Sequence, residues 1–320
     1  MKCHGTNGIW RFPWLEKMFK DDFKYYKKRN PLPDLTNVID FNCPDINKVK
    51  NIEAHFTNNT CEKKFGLKCT KDWKIYELLN IPGLIFIKNP FTTSGHHYWI
   101  IKCLKDYSRK PNKINLDAHN ILTNDEAWWD VCFRSNNNNR AESLLPKLRW
   151  ATLGYHHDWN TKIYSESSKT PMPIELIELT QFLARVLNFP EFRAEAAIIN
   201  YYQMNSTLAG HTDCSEPNTE APLFSISFGQ TAIFLIGGLS QENPADALFL
   251  RSGDIIVMTG KSRLRYHGIP KILSSQLVPW DMDETETNEN NWIHAKKYIS
   301  KARININLRQ VLKADQLTLS

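Results

Sequence analysis

The stretch GHTDC, residues 210–214, sets a histidine and an aspartate two positions apart. In extended chain, residues i and i+2 project to the same side, so His211 and Asp213 offer one neutral imidazole and one carboxylate in a common direction. A third ligand would complete a two-histidine, one-carboxylate face on a metal. Non-haem Fe(II) oxygenases use such a face because it leaves the opposite coordination positions open. His267 is the natural third member. It stands in YHGIP, residues 266–270, after the strand-like run DIIVMTG, and like His211 it has a glycine beside it. An H-x-D tripeptide recurs by chance in many chains; a distal histidine in the same β-rich half gives this one meaning.

Two further stretches carry polar groups at strand spacing. In ARININLRQ, residues 302–310, alternation puts Arg303, Asn305, Asn307 and Arg309 on one face and Ile304, Ile306 and Leu308 on the other. If the polar face lines a barrel interior, two guanidinium groups are buried, and buried charges persist only when paired. A dicarboxylate bridging a metal and an arginine fork would satisfy them. The other reading, in which these residues face solvent or pair with acids of the protein, stays open at this point. In NYY, Asn200 and Tyr202 share a face and supply neutral hydrogen-bonding groups suited to a ligand carboxylate, unless the tyrosine merely fills a barrel end.

The elements that must position these residues lie mostly in the second half. From about residue 194 the chain reads as short period-two strands separated by Gly, Asn, Asp and Pro: AAIINYYQM, PLFSISFGQ, TAIFLIGG, ALFLR, DIIVMTG and ARININLRQVL. Six or more such strands predict a barrel or jelly roll, giving an α+β protein with a helical N-terminal region. The acidic run 281–291 reads as a mobile insertion. Residues 173–188 predict a helix with proline near its first turn. In the first 145 residues, 14–29 form an amphipathic pattern with Leu15, Phe19, Phe23 and Tyr26 on one face, and 96–109 and 124–134 look helical. PGLIFIKNPF, 82–91, is the one conspicuous strand there, and 135–140 is a polar loop. The expected division is 1–145, mainly helical and bracing the barrel, and 146–320, carrying the catalytic strands.

Composition bounds the class. At 320 residues and 42% hydrophobic content the chain can build a proper core, and its ten tryptophans exceed what a minimal core needs. A net charge of +6 suits a polyanionic partner such as nucleic acid, a charge that many soluble proteins share. Seven cysteines, an odd number without a C-x-x-C pair, point to reduced thiols inside a cell. No run of about 18 apolar residues predicts a membrane span. The N-terminus lacks a signal-peptide core, and cytosol, nucleus and mitochondrion remain open.

In order, N-x-Y, H-x-D, a distal histidine and R-x-N-x-N-x-R resemble the AlkB family of Fe(II)- and 2-oxoglutarate-dependent dioxygenases, which are built on a double-stranded β-helix. LRWATLGYHHDWNTKIY, FRAEAAIINYY, STLAGHTDCSE, SGDIIVMTGKSRLRYHGIP and ARININLRQVL resemble the homologue 1 branch, and the likeness runs from about residue 14 onward. It implies that His211, Asp213 and His267 hold iron. Asn200 and Tyr202 would contact 2-oxoglutarate, Arg303 would pair with its distal carboxylate, and Arg309 would support the cosubstrate end near the metal. The reaction implied consumes O₂ and 2-oxoglutarate and demethylates a base of nucleic acid, tRNA ahead of DNA, in a monomeric protein. Such enzymes take the base from single-stranded or flipped nucleic acid. Residues 149–164 resemble the family's nucleotide-recognition lid, with Trp150, Tyr155, Trp159 and Tyr164 as base contacts, Tyr155 foremost, and His156 and His157 serving the lid itself. Ser215 occupies the place where repair-type relatives carry a second acid. This position makes it a substrate-side candidate and detaches the chain from their base preference. Competing readings are a dioxygenase of protein, a cupin-like enzyme of another metal and a non-catalytic nucleic-acid-binding module.

Overall fold

The computed structural model describes residues 18–55, 63–134, 138–281 and 290–319. Thirteen strands occur among them: β1 (Val49–Ile52), β2 (Lys74–Leu78), β3 (Leu84–Lys88), β4 (Lys113–Ile114), β5 (Trp150–Gly154), β6 (Ala196–Gln203), β7 (Leu208–His211), β8 (Leu223–Gly229), β9 (Thr231–Ile236), β10 (Asp246–Leu250), β11 (Ile255–Met258), β12 (His267–Leu273) and β13 (Ala302–Arg309). The helices are α1 (Phe19–Lys27), α2 (Thr93–Ile101), α3 (Trp128–Phe133), α4 (Asn138–Leu144), α5 (Ile174–Val186) and α6 (Asn290–Ile299).

The strands form two antiparallel sheets, one of nine strands in the order β1-β2-β3-β11-β8-β13-β6-β5-β4, the other of four in the order β10-β9-β12-β7. Alternation along β13 explains why the large sheet has two different faces. Ile304, Ile306 and Leu308 turn outward into a core shared with Trp99, Leu179, Phe182 and Trp292 of the helices. The inner face meets the small sheet, where Tyr202, Ile256 and Met258 pack with Phe234, Leu250 and Ile269. This is the jelly-roll core expected. α1 covers the outer face of the small sheet through Phe19 and Tyr26, packed with Ile233, Leu235 and Ala247.

The first 145 residues are less helical than their sequence predicts. They carry β1 to β4, which extend the large sheet at both of its ends. The reason is visible in β2: Ile75 faces the helical core while Tyr76 and Leu78 face the inter-sheet core, so apolar residues occur on both faces and the period-two signature is lost. Leu15 and residues 282–289 of the acidic run lie outside the described residues, as do 135–137 of the polar loop, which continues as α4 from Asn138. The run is followed by α6, whose Trp292, Ala295, Tyr298 and Ile299 are buried. Cys69 is disulfide-bonded, which corrects the expectation of thiols throughout. Cys43, Cys103, Cys132 and Cys214 are free. Among the described residues, no helix is long and apolar enough to cross a membrane.

Candidate active site

His211 ends β7 and His267 begins β12, and the two are direct cross-strand partners. Their rings lie 4.4 Å apart, centre to centre. The neighbouring glycines permit this approach. A Cβ on Gly268 would come within 2.9 Å of the Leu208 carbonyl oxygen, and one on Gly210 within 2.4 Å of the Phe19 ring of α1. Asp213 joins them from the loop after β7. One ligand atom from each of the three residues falls within 4.8 Å of the others, a group that can hold a metal ion.

The tautomers suit that role. Nδ1 of His211 lies 2.9 Å from the carbonyl oxygen of Ala209, and Nδ1 of His267 lies 3.0 Å from that of Arg265. A ring nitrogen facing a carbonyl must donate, so each Nε2 keeps its lone pair for the centre of the group. Nε2 of His267 is 3.5 Å from Oδ2 of Asp213, and Nε2 of His211 is 3.9 Å from Oδ1. Burial, reinforced by the second imidazole, lowers the His211 pKa to about 4, so the ring is neutral at physiological pH. Burial would raise the Asp213 pKa. Arg309, donating from Nη2 to Oδ1 at 2.7 Å, overrides it and holds the carboxyl well below its usual range.

A cavity between the sheets is lined both by His211 and His267 and by Tyr202, Arg303, Asn305 and Asn307 of the polar strand faces. Arg303 is fully buried and lies opposite Tyr202 of β6, its guanidinium 5.0 Å from the ring centre. Nη2 donates to Ser227 Oγ at 3.0 Å, while Nε and Nη1 are buried with no partner. A guanidinium held dry with unsatisfied donors fits a carboxylate between it and the metal group. Asn305 donates to Ser225 Oγ at 2.9 Å on the same face. Asn200 stands opposite Asn305 on β6, partly exposed. Ser225 and Ser227 escaped the sequence reading, although their alternation in FSISF was the available signal.

The sequence profile of the 2OG-Fe(II) oxygenase superfamily matches residues 83–309. Over 94% of this chain and 85% of its own length, the Homo sapiens protein named "Nucleic acid dioxygenase ALKBH1" is 36% identical. "DNA N(6)-methyladenine demethylase ALKBH1A" of Arabidopsis thaliana is 32% identical over 92% of both chains. "tRNA demethylase abh1" of Schizosaccharomyces pombe is 31% identical over 92% of this chain and 95% of that one. The chain belongs to the 2OG-Fe(II) oxygenases, in the AlkB homologue 1 branch. Members of this superfamily use Fe(II), 2-oxoglutarate and O₂, and the donor set above suits all three.

In this AlkB-type chain the aromatic segment 149–164 divides into two groups. Trp150 lies opposite Asn200 on β5, on the cavity side of the sheet, and its ring is 5.3 Å from that of Trp159, which is 47% exposed. His157 contacts both Trp159 and Tyr164. Tyr155 is not brought to the site. It is 1% exposed, packed with Val311 and Leu312, and its phenol donates to Glu166 at 2.5 Å while accepting from Lys169 at 2.9 Å. Tyr164 is also buried and offers no free ring face. Its hydroxyl donates to Glu216 at 3.0 Å and accepts from Nη1 of Arg309 at 3.2 Å. His156 serves the segment itself, its two ring nitrogens bonded to Thr152 and Thr170. Ser215 is partly exposed on the loop two residues beyond Asp213. Arg309 touches the carboxylate of the metal group directly, a closer role than support of a cosubstrate. Glu216 and Arg263, both buried beside it, were not anticipated.

Proposed function

We propose that this dioxygenase removes methyl groups oxidatively from bases of nucleic acid, with structured RNA such as tRNA ahead of DNA. The observation that carries the cosubstrate assignment is the pair of buried, unpartnered donors on Arg303, in the same cavity as two imidazoles whose Nε2 atoms face Asp213. Fe(II) held by His211, Asp213 and His267 would, with 2-oxoglutarate and O₂, supply the oxidation of an N-methyl carbon, yielding succinate, CO₂ and a hydroxymethyl base that releases formaldehyde. The residues of the chain do the rest. Arg303 offers its fork to the distal carboxylate of the cosubstrate, and Tyr202 and Asn200 supply neutral groups beside it. Leu208, Phe234, Ile256, Met258 and Ile269 line the cavity and keep water from it.

Trp150 and Trp159 form an aromatic pair, with Trp159 exposed, and exposed aromatic rings stack bases that have left a duplex. That pair, the net charge of +6 and the printed names of the relatives support a nucleic-acid substrate over a protein one. The test is succinate and formaldehyde release by the Fe(II)-loaded protein, with and without 1-methyladenine-containing tRNA and 6-methyladenine-containing single-stranded DNA. Stimulation by one of them, lost in His211→Ala and Arg303→Ala, supports the reading. A folded, iron-loaded wild type that releases no succinate with either would overturn it in favour of a binding module.

A further inference from the structure

Behind Asp213 lies a buried ionic cluster that the reaction scheme does not use. Arg309 donates from Nη2 to the Asp213 side chain at 2.7 Å. Arg263 donates from Nη1 to the Asp213 main-chain carbonyl oxygen, so this residue is gripped at both ends. Glu216 stands between the two arginines. Its Oε2 accepts from Nη2 of Arg263 at 2.9 Å, and its Oε1 lies 3.3 Å from Nε of Arg309 and accepts from the Tyr164 hydroxyl at 3.0 Å. The Glu216 and Arg263 side chains are each 1% exposed. Two guanidinium groups against two carboxylates make the cluster neutral, as a dry site requires.

The arrangement has a consequence for the metal. Oδ1 of Asp213 is engaged by Arg309, which leaves Oδ2, on the His267 side, to face the ion. Arg309 and Arg263 would by themselves place two positive charges next to a divalent cation. Glu216 offsets one of them, hydrogen-bonding Arg263 through Oε2 and standing as an ion-pair partner of Arg309 through Oε1. We infer that Glu216 is a positioning residue of the iron site, holding Arg309 and Arg263 so that Asp213 presents one oxygen, Oδ2, to the metal. Through Tyr164, which touches His157, the same carboxylate connects the metal ligand to the aromatic segment. The inference rests on the iron site proposed above, and its test reads metal binding without turnover.

Mn(II), which is redox-inert here, serves as the probe: free ion is followed by electron paramagnetic resonance while wild type, Glu216→Gln, Glu216→Asp and Tyr164→Phe are titrated with 2-oxoglutarate present. Circular dichroism reports the fold. Glu216→Gln is expected to raise the Mn(II) Kd at least tenfold and Glu216→Asp, which keeps the charge, by clearly less. Tyr164→Phe, which changes no charge, is expected to raise it about threefold and carries the test if Glu216→Gln does not fold. A folded Glu216→Gln, or failing that a Tyr164→Phe, that binds Mn(II) as wild type does would reduce the cluster to scaffolding and overturn the inference. Wild type that binds no Mn(II) would instead overturn the iron site itself, a result distinguishable from loss confined to the variants.

Discussion

Arg303 of β13 sits directly across from Tyr202 of β6, with its guanidinium 5.0 Å from the ring centre and two of its three nitrogens unpartnered. A buried charge in that state destabilises the ligand-free fold, because its desolvation is only partly offset by Ser227 and the ring. Burial accordingly lowers the Arg303 pKa. Replacing it with methionine is therefore expected to stabilise the ligand-free protein by about 2 kcal/mol. The same change removes the carboxylate fork and is expected to raise the Kd for 2-oxoglutarate about 100-fold, near 3 kcal/mol for a charge-assisted pair. Urea unfolding and anaerobic calorimetry check the two halves. A variant that loses both stability and affinity would mean that Arg303 is chiefly a structural strut.

Tyr155 and the exposed Trp159 of the aromatic segment should behave differently. Trp159→Ala removes a 47% exposed ring and is expected to raise the KM for a methylated oligonucleotide about tenfold, on the scale of one lost base stack, with 2-oxoglutarate affinity unchanged. Tyr155→Phe removes a phenol engaged only with Glu166 and Lys169. It is expected to cost about 1 kcal/mol of stability and to leave KM within twofold of wild type. A Tyr155→Phe variant with intact stability and a large KM defect would contradict this division.

How much of this was legible beforehand follows from strand parity. Arg303 with Asn305 reads directly from i, i+2 spacing, and the register of β13 against β6 puts both on one face. His211 and Asp213 also come together, but Asp213 does so from the loop after β7 and not by strand parity. Parity also argues against Tyr155, an odd number of residues from Trp150, and Gly154 between them turns the chain with a φ of +68°. The preference for Tyr155 rests on the resemblance of 149–164 to a nucleotide-recognition lid, not on spacing. Glu216 and Arg263 were invisible for another reason. Single charges 47 positions apart carry no local pattern, and only the fold puts 2.9 Å between them. β2 was missed because burial on both faces erases alternation, and β1 because its four residues offer only Val49 and Ile52 around the exposed Lys50 and Asn51.

Metal removal should leave the fold standing. The Asp213 carboxylate is already matched by Arg309, so the ion-free site holds no uncompensated negative charge. Chelated protein is expected to keep its circular-dichroism spectrum. Adding Mn(II) at about 100 times its Kd is expected to stabilise it by roughly 2.7 kcal/mol, seen as a concentration-dependent rise in Tm. In His267→Ala that rise should vanish. Collapse of the wild-type fold on chelation would show that the ion, not Arg309, neutralises Asp213.

Asp254 gives the protein a pH dependence unrelated to the metal. It is buried at the start of β11, accepting from the main-chain nitrogens of Asn89 at 3.2 Å and Arg251 at 2.7 Å, and burial raises its pKa to about 7. In the unfolded chain the same carboxyl titrates near 3.8. Between these values the folded state binds more protons at Asp254 than the unfolded one, so the contribution of this carboxyl to stability falls as pH rises from about 4 to about 7 and is level beyond. A shift of this size corresponds to roughly 4 kcal/mol across the window. Asp254→Asn cannot titrate, but its amide can accept from only one of the two main-chain donors, at a cost of about 1 kcal/mol. The two stability curves are expected to cross: wild type the more stable at pH 5, the variant equal or better at pH 8. Urea unfolding at pH 5, 6.5 and 8 checks this, and parallel curves would show that Asp254 stays ionised throughout.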